Sequence, residues 1–485
     1  MSLKKTAISG FVWTFTQQFG SQAINFFVSV IMARLLSPAE FGLIAMVSVF
    51  LSIGLSLIDS GLTQSLIRNN ALNQDDYSTV FFFNLTSSFF VYGLLFFSAP
   101  FIADFFKQPI LTDITRVYCL SFIISAFSSI PQTRLNKNMD FKSQTLIAIF
   151  SLMIASLLGI YLAFKNYGVW SLIFMYLLQN FLNASLLFWY AAWRPCLVFN
   201  IEKFKYHFKF GYKLTLSGLL DIIFNNSYPF IIGKYFSISE VGFFNRADSL
   251  KQLPVNAIGS ALNKVTYPLF TNLKDNDERL KNIYKRIMEM VIFLIAPILI
   301  FLGVLAEPTF RLLFTEKWLP AVDYFQLLCV TGILYPIHVY NLNILIVKGR
   351  SDLFFQLEII KKIIFVAIVM SSISFGIFGL LWGQIAFSIV CLVVNTHYSG
   401  KLIDYSAWQQ IKDILPIIIM AGIAGGFVYQ AMPMVYNYSN GLIHSHQLND
   451  IIVILLSSLF GLIAYLSMAY FFKINALNEI KNVLR

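Results

Sequence analysis

Arg34-Leu35-Leu36-Ser37-Pro38-Ala39-Glu40-Phe41-Gly42 returns 200 positions later as Lys234-Tyr235-Phe236-Ser237-Ile238-Ser239-Glu240-Val241-Gly242, and each copy lies between long apolar runs. The same register lays Asn25 over Asn225. A second offset, of 212, lays Asp140 over Asp352 and Trp170 over Trp382. The echo therefore reaches beyond one loop and reads as an internal duplication. Duplicated polytopic chains are a pattern of transporters, which handle substrate where the copies meet. Within the phrase itself, Ser37, Pro38 and Glu40 occupy the N-cap, first and third positions of a helix start, the order of a capping box. Ser237 and Glu240 repeat the box without the proline, so the phrase is expected to start two helices. Arg34 and Lys234 then sit at the C-terminal dipoles of the preceding helices.

Working outward, the composition is 58% hydrophobic and only 12% charged over 485 residues, with a mean hydropathy of +0.71. A soluble core cannot hide that much apolar surface, so lipid must solvate much of it. A spanning helix needs about 20 apolar residues at roughly 1.5 Å rise each. Runs of this kind cover residues 9–33, 41–59, 79–100, 115–131, 142–164, 167–191, 212–236, 240–262, 287–306, 322–346, 354–375, 377–397, 411–432 and 449–472. The sequence thus predicts an all-α membrane protein of about fourteen spans. Six fall in an N-lobe, 1–192, and six in a C-lobe, 214–397. An even count per copy makes the repeat parallel, with its axis along the membrane normal. Residues 398–485 carry two further helices and a tail without a counterpart. Residues 193–213 form a cytoplasmic linker, in which Phe204, Phe208 and Tyr212 alternate with Lys205, Lys209 and Lys213 as on an interfacial helix. Those lysines suit anionic headgroups, and a docking role toward a lipid-linked substrate is the competing reading.

With the N-terminus inside, 26 of the 35 Lys and Arg residues fall at cytoplasmic loops, ends or tails, 7 fall outside, and 2 lie within the eighth span. That bias places both termini in the cytoplasm. It also accounts for the net charge of +11 through membrane topology, with no nucleic-acid partner. Met1 to Lys5 leads into an apolar stretch too long for a signal h-region, so the first helix is expected to remain as an anchor. Cys119, Cys196, Cys329 and Cys391 show neither metal spacing nor redox pairing and read as packing residues. The five histidines read as solvated, and the His444/His446 pair is a poor metal site. Gly379/Gly383 and Gly422/Gly426 have the GxxxG spacing of close helix packing. Asp59, Glu289 and Glu358 read as solvated helix ends.

Ala33 to Gly42, Asp59-Ser60-Gly61-Leu62, Asn245-Arg246-Ala247 with Leu253-Pro254, and Glu316-Lys317-Trp318-Leu319-Pro320-Ala321-Val322 resemble, in order and spacing, signature stretches of Wzx-type flippases. The chain is similar to the WzxC-like branch of the multidrug/oligosaccharidyl-lipid/polysaccharide exporter superfamily. This resemblance covers the first ten helices well and the rest through hydropathy. It implies a MATE-like fold and a bacterial inner-membrane protein. The implied activity moves an undecaprenyl-diphosphate-linked oligosaccharide from the inner to the outer leaflet, for O-antigen, capsule or exopolysaccharide synthesis. The implied partners are that glycolipid, membrane lipids, and a polysaccharide polymerase with its assembly proteins. No cofactor or metal is expected.

The residues themselves indicate where such a cargo would bind. An Arg or Lys at mid-membrane costs about 2.5 to 3.5 kcal/mol on insertion scales, yet the eighth span carries Arg246, Asp248 and Lys251. It is therefore expected to face water or protein. Counted at the helical rise, Arg246 lies roughly 9 Å below the outer turn, and Lys251 and Asn225 about 16 Å. Asp221 and Asn225 share one face of the seventh span, and Gln22 and Asn25 repeat a polar stripe on the first. Two readings follow. In one, these stripes wall a central cavity, with Arg246 and Lys251 drawing the diphosphate while Asn25, Gln22 and Asn225 bind sugar hydroxyls. In the other, the cations pair with Asp248 or Asp221 and the amides bridge helices. Asp221 and Asp248 are the candidates for ion coupling, since a desolvated carboxylate exchanges protons nearer neutrality. A cation antiporter on the same scaffold would call for acidic residues in the first copy, where the first helix offers amides. A lipid II flippase is chemically similar and stays open. An enzyme would call for acid–base clusters in large outer loops, which this chain lacks.

Overall fold

The repeated phrase starts helices in both places. In this computed structural model, which describes residues 3–69, 71–440, 445–477 and 479, the Ser37 N–H donates to Glu40 Oε2 at 2.6 Å and the Ser237 N–H donates to Glu240 Oε2 at 2.7 Å. The first compact unit, Met1–Gly242, holds α1 (Leu3–Leu35), α2 (Pro38–Asp59), α3 (Leu62–Arg68), α4 (Gln74–Phe106), α5 (Leu111–Tyr118), α6 (Ser121–Lys137), α7 (Phe141–Phe164), α8 (Val169–Tyr190), α9 (Ile201–Asn225) and α10 (Ser227–Tyr235). Helix α11 (Ile238–Asn272) begins there and runs into the second unit, Phe243–Arg485. That unit continues with α12 (Asp277–Val304), α13 (Ala306–Phe314), α14 (Ala321–Val347), α15 (Ser351–Ser372), α16 (Gly376–Leu402), α17 (Ala407–Asn440) and α18 (His446–Phe471). The described residues contain no strand. Element order carries the duplication: a long helix, a short one and three long ones run from α4 to α8 and again from α12 to α16, while α17 and α18 stand outside the pattern.

Ten described segments are long and apolar enough to cross a membrane, and one of them, Ser351–Leu402, holds both α15 and α16. The first, seventh and eighth expected spans are not among them. For α11 the charged residues explain this directly. The linker differs from expectation. Residues 201–225 form one helix, so the basic–aromatic stripe continues into the seventh span, and that span breaks instead at Asn226, just before Pro229. Gly211 and Gly218 weaken the helix between Lys205 and Asn225 without breaking it, whereas Asn226, at φ −99° and ψ 6°, leaves helical geometry and Pro229 has no N–H to donate back across the break. The Asn226 Nδ2 donates back to the Ile222 carbonyl at 2.8 Å, satisfying part of the break.

Packing explains the glycines of the repeated phrase. A Cβ on Gly42 would collide with the Ile238 carbonyl, and one on Gly242 with the Pro38 carbonyl. The first turns of α2 and α11 thus cross backbone to backbone, and each copy supplies the glycine that admits the other. Lys234 donates to the Phe105 carbonyl at 2.8 Å and lies 3.9 Å over the Phe105 ring, so it neutralises the end of α4 in addition to the helix that carries it. Gly379 and Gly383 meet Ser372 of α15 as the GxxxG spacing suggests. Gly422 and Gly426 meet nothing; the close approach in α17 is made by Gly425, against Ile300 of α12. Helical phase decides this, since the face turned to α12 is offset by one residue from the GxxxG row.

Several polar residues were expected in solvent and are not there. Glu289 is 7% exposed and lies 3.7 Å from Lys285, which also pairs with Asp413 at 2.8 Å. His207 is fully buried and His338 bonds Ser388 at 3.0 Å, while His444 lies outside the described residues. Of the cysteines, Cys119, Cys329 and Cys391 are buried, whereas Cys196 is exposed in the segment before α9.

Candidate functional site

Arg246 stands on the second turn and a half of α11, where Val241, Phe244 and Ala247 bury the neighbouring positions. Its own exposure is 7%, and its guanidinium carbon lies 5.0 Å from the Phe314 ring centroid and 5.3 Å from that of Trp318. Trp318 is itself fully buried and meets Phe243 edge-on at 6.1 Å. The left-handed Thr315, at φ 77°, turns the chain after α13 so that Trp318 is delivered under Arg246. Two signature stretches separated in the chain, around Asn245-Arg246-Ala247 and Glu316-Lys317-Trp318, therefore form one cluster inside the second unit. A planar guanidinium suits such a place because it stacks on aromatic faces and still offers in-plane donors.

One turn further along α11, Lys251 is 5% exposed and its Nζ lies 2.5 Å from Asp248 Oδ1. Its stem runs over α14 at Gly332, where an added Cβ would sit 3.1 Å from Lys251 Cγ. Asp248 keeps a third of its side chain exposed, so the pair is half open. The ion pairing weighed from sequence is present for Lys251, and Arg246 packs in the aromatic cluster.

The amide stripe lies in the first unit. Gln22 is half-buried and Asn25 exposed on α1. Asn225 is exposed as the last residue of α9, and Asp221 is exposed one turn before it. Asn225 therefore sits at a helix interruption. Interrupted spans are where transporters present backbone polar groups to cargo and ions.

A further polar cluster in the first unit has no counterpart in the sequence reading. The His207 Nδ1 lies 2.8 Å from Ser65 Oγ and the His207 Nε2 lies 3.2 Å from Asp76 Oδ1, while Lys203 Nζ donates to Asp76 Oδ2 at 2.7 Å. Asp76 also closes the capping box of α4, accepting from the Asn73 N–H at 2.9 Å. Burial holds the His207 imidazole below its ordinary value, outweighing the opposite pull of Asp76. The one local signal was the Asn73–Asp76 capping pattern; no periodicity announces that residue 207 meets residue 76.

Known proteins resemble this chain in sequence and in fold. The chain is 23% identical to the lipopolysaccharide biosynthesis protein WzxC of Escherichia coli (strain K12) over 417 residues, 84% of each chain. It is 24% identical to the teichuronic acid biosynthesis protein TuaB of Bacillus subtilis (strain 168), over 75% of this chain and 76% of that one. The structure resembles the lipid II flippase MurJ in its inward closed conformation, with a TM-score of 0.71, 15% identity, and coverage of 98% of this chain and 100% of that one. An inward-facing multidrug transporter of the MATE family matches with a TM-score of 0.58 and 16% identity, over 80% and 96% of the two chains. The fold is thus the MATE-like one that the resemblance implied. A family model described as polysaccharide biosynthesis protein matches residues 31–323, more than half of the chain and the whole stretch from the first repeated phrase to Trp318, and the protein belongs to that family.

Proposed function

We propose that the protein is a flippase that carries an undecaprenyl-diphosphate-linked oligosaccharide from the cytoplasmic to the periplasmic leaflet of a bacterial inner membrane by alternating access. Both termini then lie in the cytoplasm, and the glycan passes to a polymerase and its assembly proteins outside. The observation that carries this reading is the buried cationic pair on α11, Arg246 and Lys251, in a chain of the polysaccharide biosynthesis family. Buried cations within a membrane helix are costly and mark a pathway for anions or their counter-charges. A diphosphate is the anionic part of such a cargo. Arg246 and Lys251 hold it, and Asn25, Gln22 and Asn225 meet sugar hydroxyls. The two six-helix copies, 1–192 and 214–397, are the moving parts, with α9 carrying the basic linker between them.

Lys251 rests on Asp248, so cargo must compete with that carboxylate. The exchange gives Asp248 a place in ion coupling, with Asp221 as the other candidate. No step in this cycle makes or breaks a covalent bond in the cargo.

Deletion of the gene tests the proposal: one surface glycan should disappear while its lipid-linked precursor accumulates inside. Arg246→Ala combined with Lys251→Ala should reproduce that loss while the protein still inserts at normal levels. Full export by the double variant would remove both residues from the mechanism, and retention of a drug in place of a glycolipid would make the chain an antiporter.

A further inference from the structure

A cavity of about 620 Å³ opens between α3 and the first half of α9, entirely within the first unit. Its volume falls in the range of about 300 to 1,000 Å³ typical of small-ligand clefts. Arg68 lines one wall, and Tyr206, Lys209 and Lys213 line the other, with Ser65 beside them. Lys209 and Lys213 share a helix face at i and i+4, and Tyr206 lies one turn before Lys209. Three cations therefore converge from two elements, and no carboxylate lines the cavity.

Asp76 is held by Lys203 at 2.7 Å and by His207 at 3.2 Å, behind the wall at Ser65. Among the described residues, Arg68, Lys209 and Lys213 form no ion pair with a carboxylate of this chain. Arg68 instead stacks over the Phe210 ring, 4.7 Å from its centroid, which orients the guanidinium plane and leaves its edge for a ligand.

The frame around these cations is built rather than loose. Gly61 adopts φ 68°, and a Cβ there would lie 2.6 Å from the Gly211 carbonyl oxygen; a Cβ on Gly211 would strike the Ser60 carbonyl in turn. The turn after α2 and the middle of α9 are thus in backbone contact, and the Ser65–His207–Asp76 chain braces the same junction from inside. The cavity lies beside the end of the α2 span and the entry of the seventh, so it faces one membrane surface.

We propose that this cavity is a receiving site for the phosphate of a lipid headgroup at the cytoplasmic membrane surface, separate from Arg246 and Lys251. Guanidinium and ammonium groups around a half-open cleft match phosphate oxygens, and lipid headgroups present phosphate at high density where basic residues lie along a membrane surface. The source is either the diphosphate of a polyprenyl lipid or the phosphodiester of an anionic bilayer lipid. The site stands on this geometry whether or not the translocation proposal holds.

The test uses the full chain in phosphatidylcholine nanodiscs doped with undecaprenyl diphosphate in one arm and cardiolipin in the other, with inorganic pyrophosphate as the tail-free probe. Replacing Arg68, Lys209 and Lys213 together by Gln should weaken binding of the doped lipid at least tenfold, while Lys401→Gln, an exposed lysine of α16 outside the cavity, leaves it within twofold. If the triple variant fails to fold, Lys209→Gln with Lys213→Gln, both at exposed positions, serves in its place with the same direction. Loss confined to undecaprenyl diphosphate assigns the site to the prenyl lipid, and equal loss for cardiolipin assigns it to bilayer lipid; both support the proposal. Unchanged binding of both lipids in the variant would overturn it, as would tight binding of pyrophosphate with no binding of either lipid.

Discussion

Arg246 lies over two aromatic faces, and that contact separates charge from shape at a single position. Lysine keeps the charge but neither stacks as a plane nor offers a fork of donors. Arg246→Lys is therefore expected to lose most glycan export, close to Arg246→Ala, with membrane levels near normal; surface glycan per unit of inserted protein is the measurement. Export restored by lysine would show that charge alone suffices. Asp248 acts on the neighbouring cation. If it exchanges the coupling ion, Asp248→Asn flattens the dependence of transport on external pH, read in proteoliposomes under an imposed gradient. At His207 the sign of the pH effect follows from burial. The folded chain holds this imidazole below its ordinary value of 6.5, so the unfolded chain takes up a proton that the folded chain does not. The stability it contributes is complete above about pH 6.5 and declines as pH falls through that region. Thermal melting between pH 8 and pH 5 should show that decline, and His207→Asn should shrink its slope.

Glycines set the geometry at the scale of elements. Gly211 and Gly218 stand two turns apart on α9, but an added Cβ on Gly211 meets the Ser60 carbonyl and one on Gly218 meets nothing within 4 Å. Gly211→Ala is expected to destabilise the protein by about 1 to 3 kcal/mol through overpacking, whereas Gly218→Ala should be neutral or raise stability by roughly 0.5 to 1 kcal/mol through helix propensity. A melting comparison of the two variants reads the difference directly; equal behaviour would mean that α9 does not press on the turn after α2. The reciprocal crossing of α2 and α11 makes the same demand twice. Gly42→Val and Gly242→Val should each reduce folded yield severely, because the obstructing atom in both cases is backbone carbonyl and cannot rotate away. The capping boxes beside these glycines were readable from the residue order. The crossing was not, since nothing in Ser37 to Gly42 says that its partner is its own copy.

For the whole molecule, the distribution of Lys and Arg predicts sidedness, and the cysteines provide a probe of it. Cys196 is exposed while Cys119, Cys329 and Cys391 are buried. A membrane-impermeant maleimide should label Cys196 in inverted vesicles and spare it in intact cells. Lys165→Cys in a Cys196→Ser background should reverse that pattern, because the charge bias predicts the opposite side for Lys165, which follows α7 and is exposed. Labelling of both sites from one side would overturn the assigned topology.

The sequence by itself determined that the chain is a duplicated, all-helical membrane protein of a polysaccharide-exporter type. Apolar run length, capping order and charge bias are local signals, and each is spelled along the chain. It also singled out Arg246 and Lys251, since a charge inside an apolar run is conspicuous in one dimension. Only the tertiary structure decided what those charges touch: Arg246 rests on Trp318 and Lys251 on Asp248. It alone buried His207 between Ser65 and Asp76, and brought Arg68 to Lys209 and Lys213 around one cavity. The reason is physical. Helical periodicity states which residues share a face, but the partner of that face is chosen by packing between elements that stand far apart in the chain.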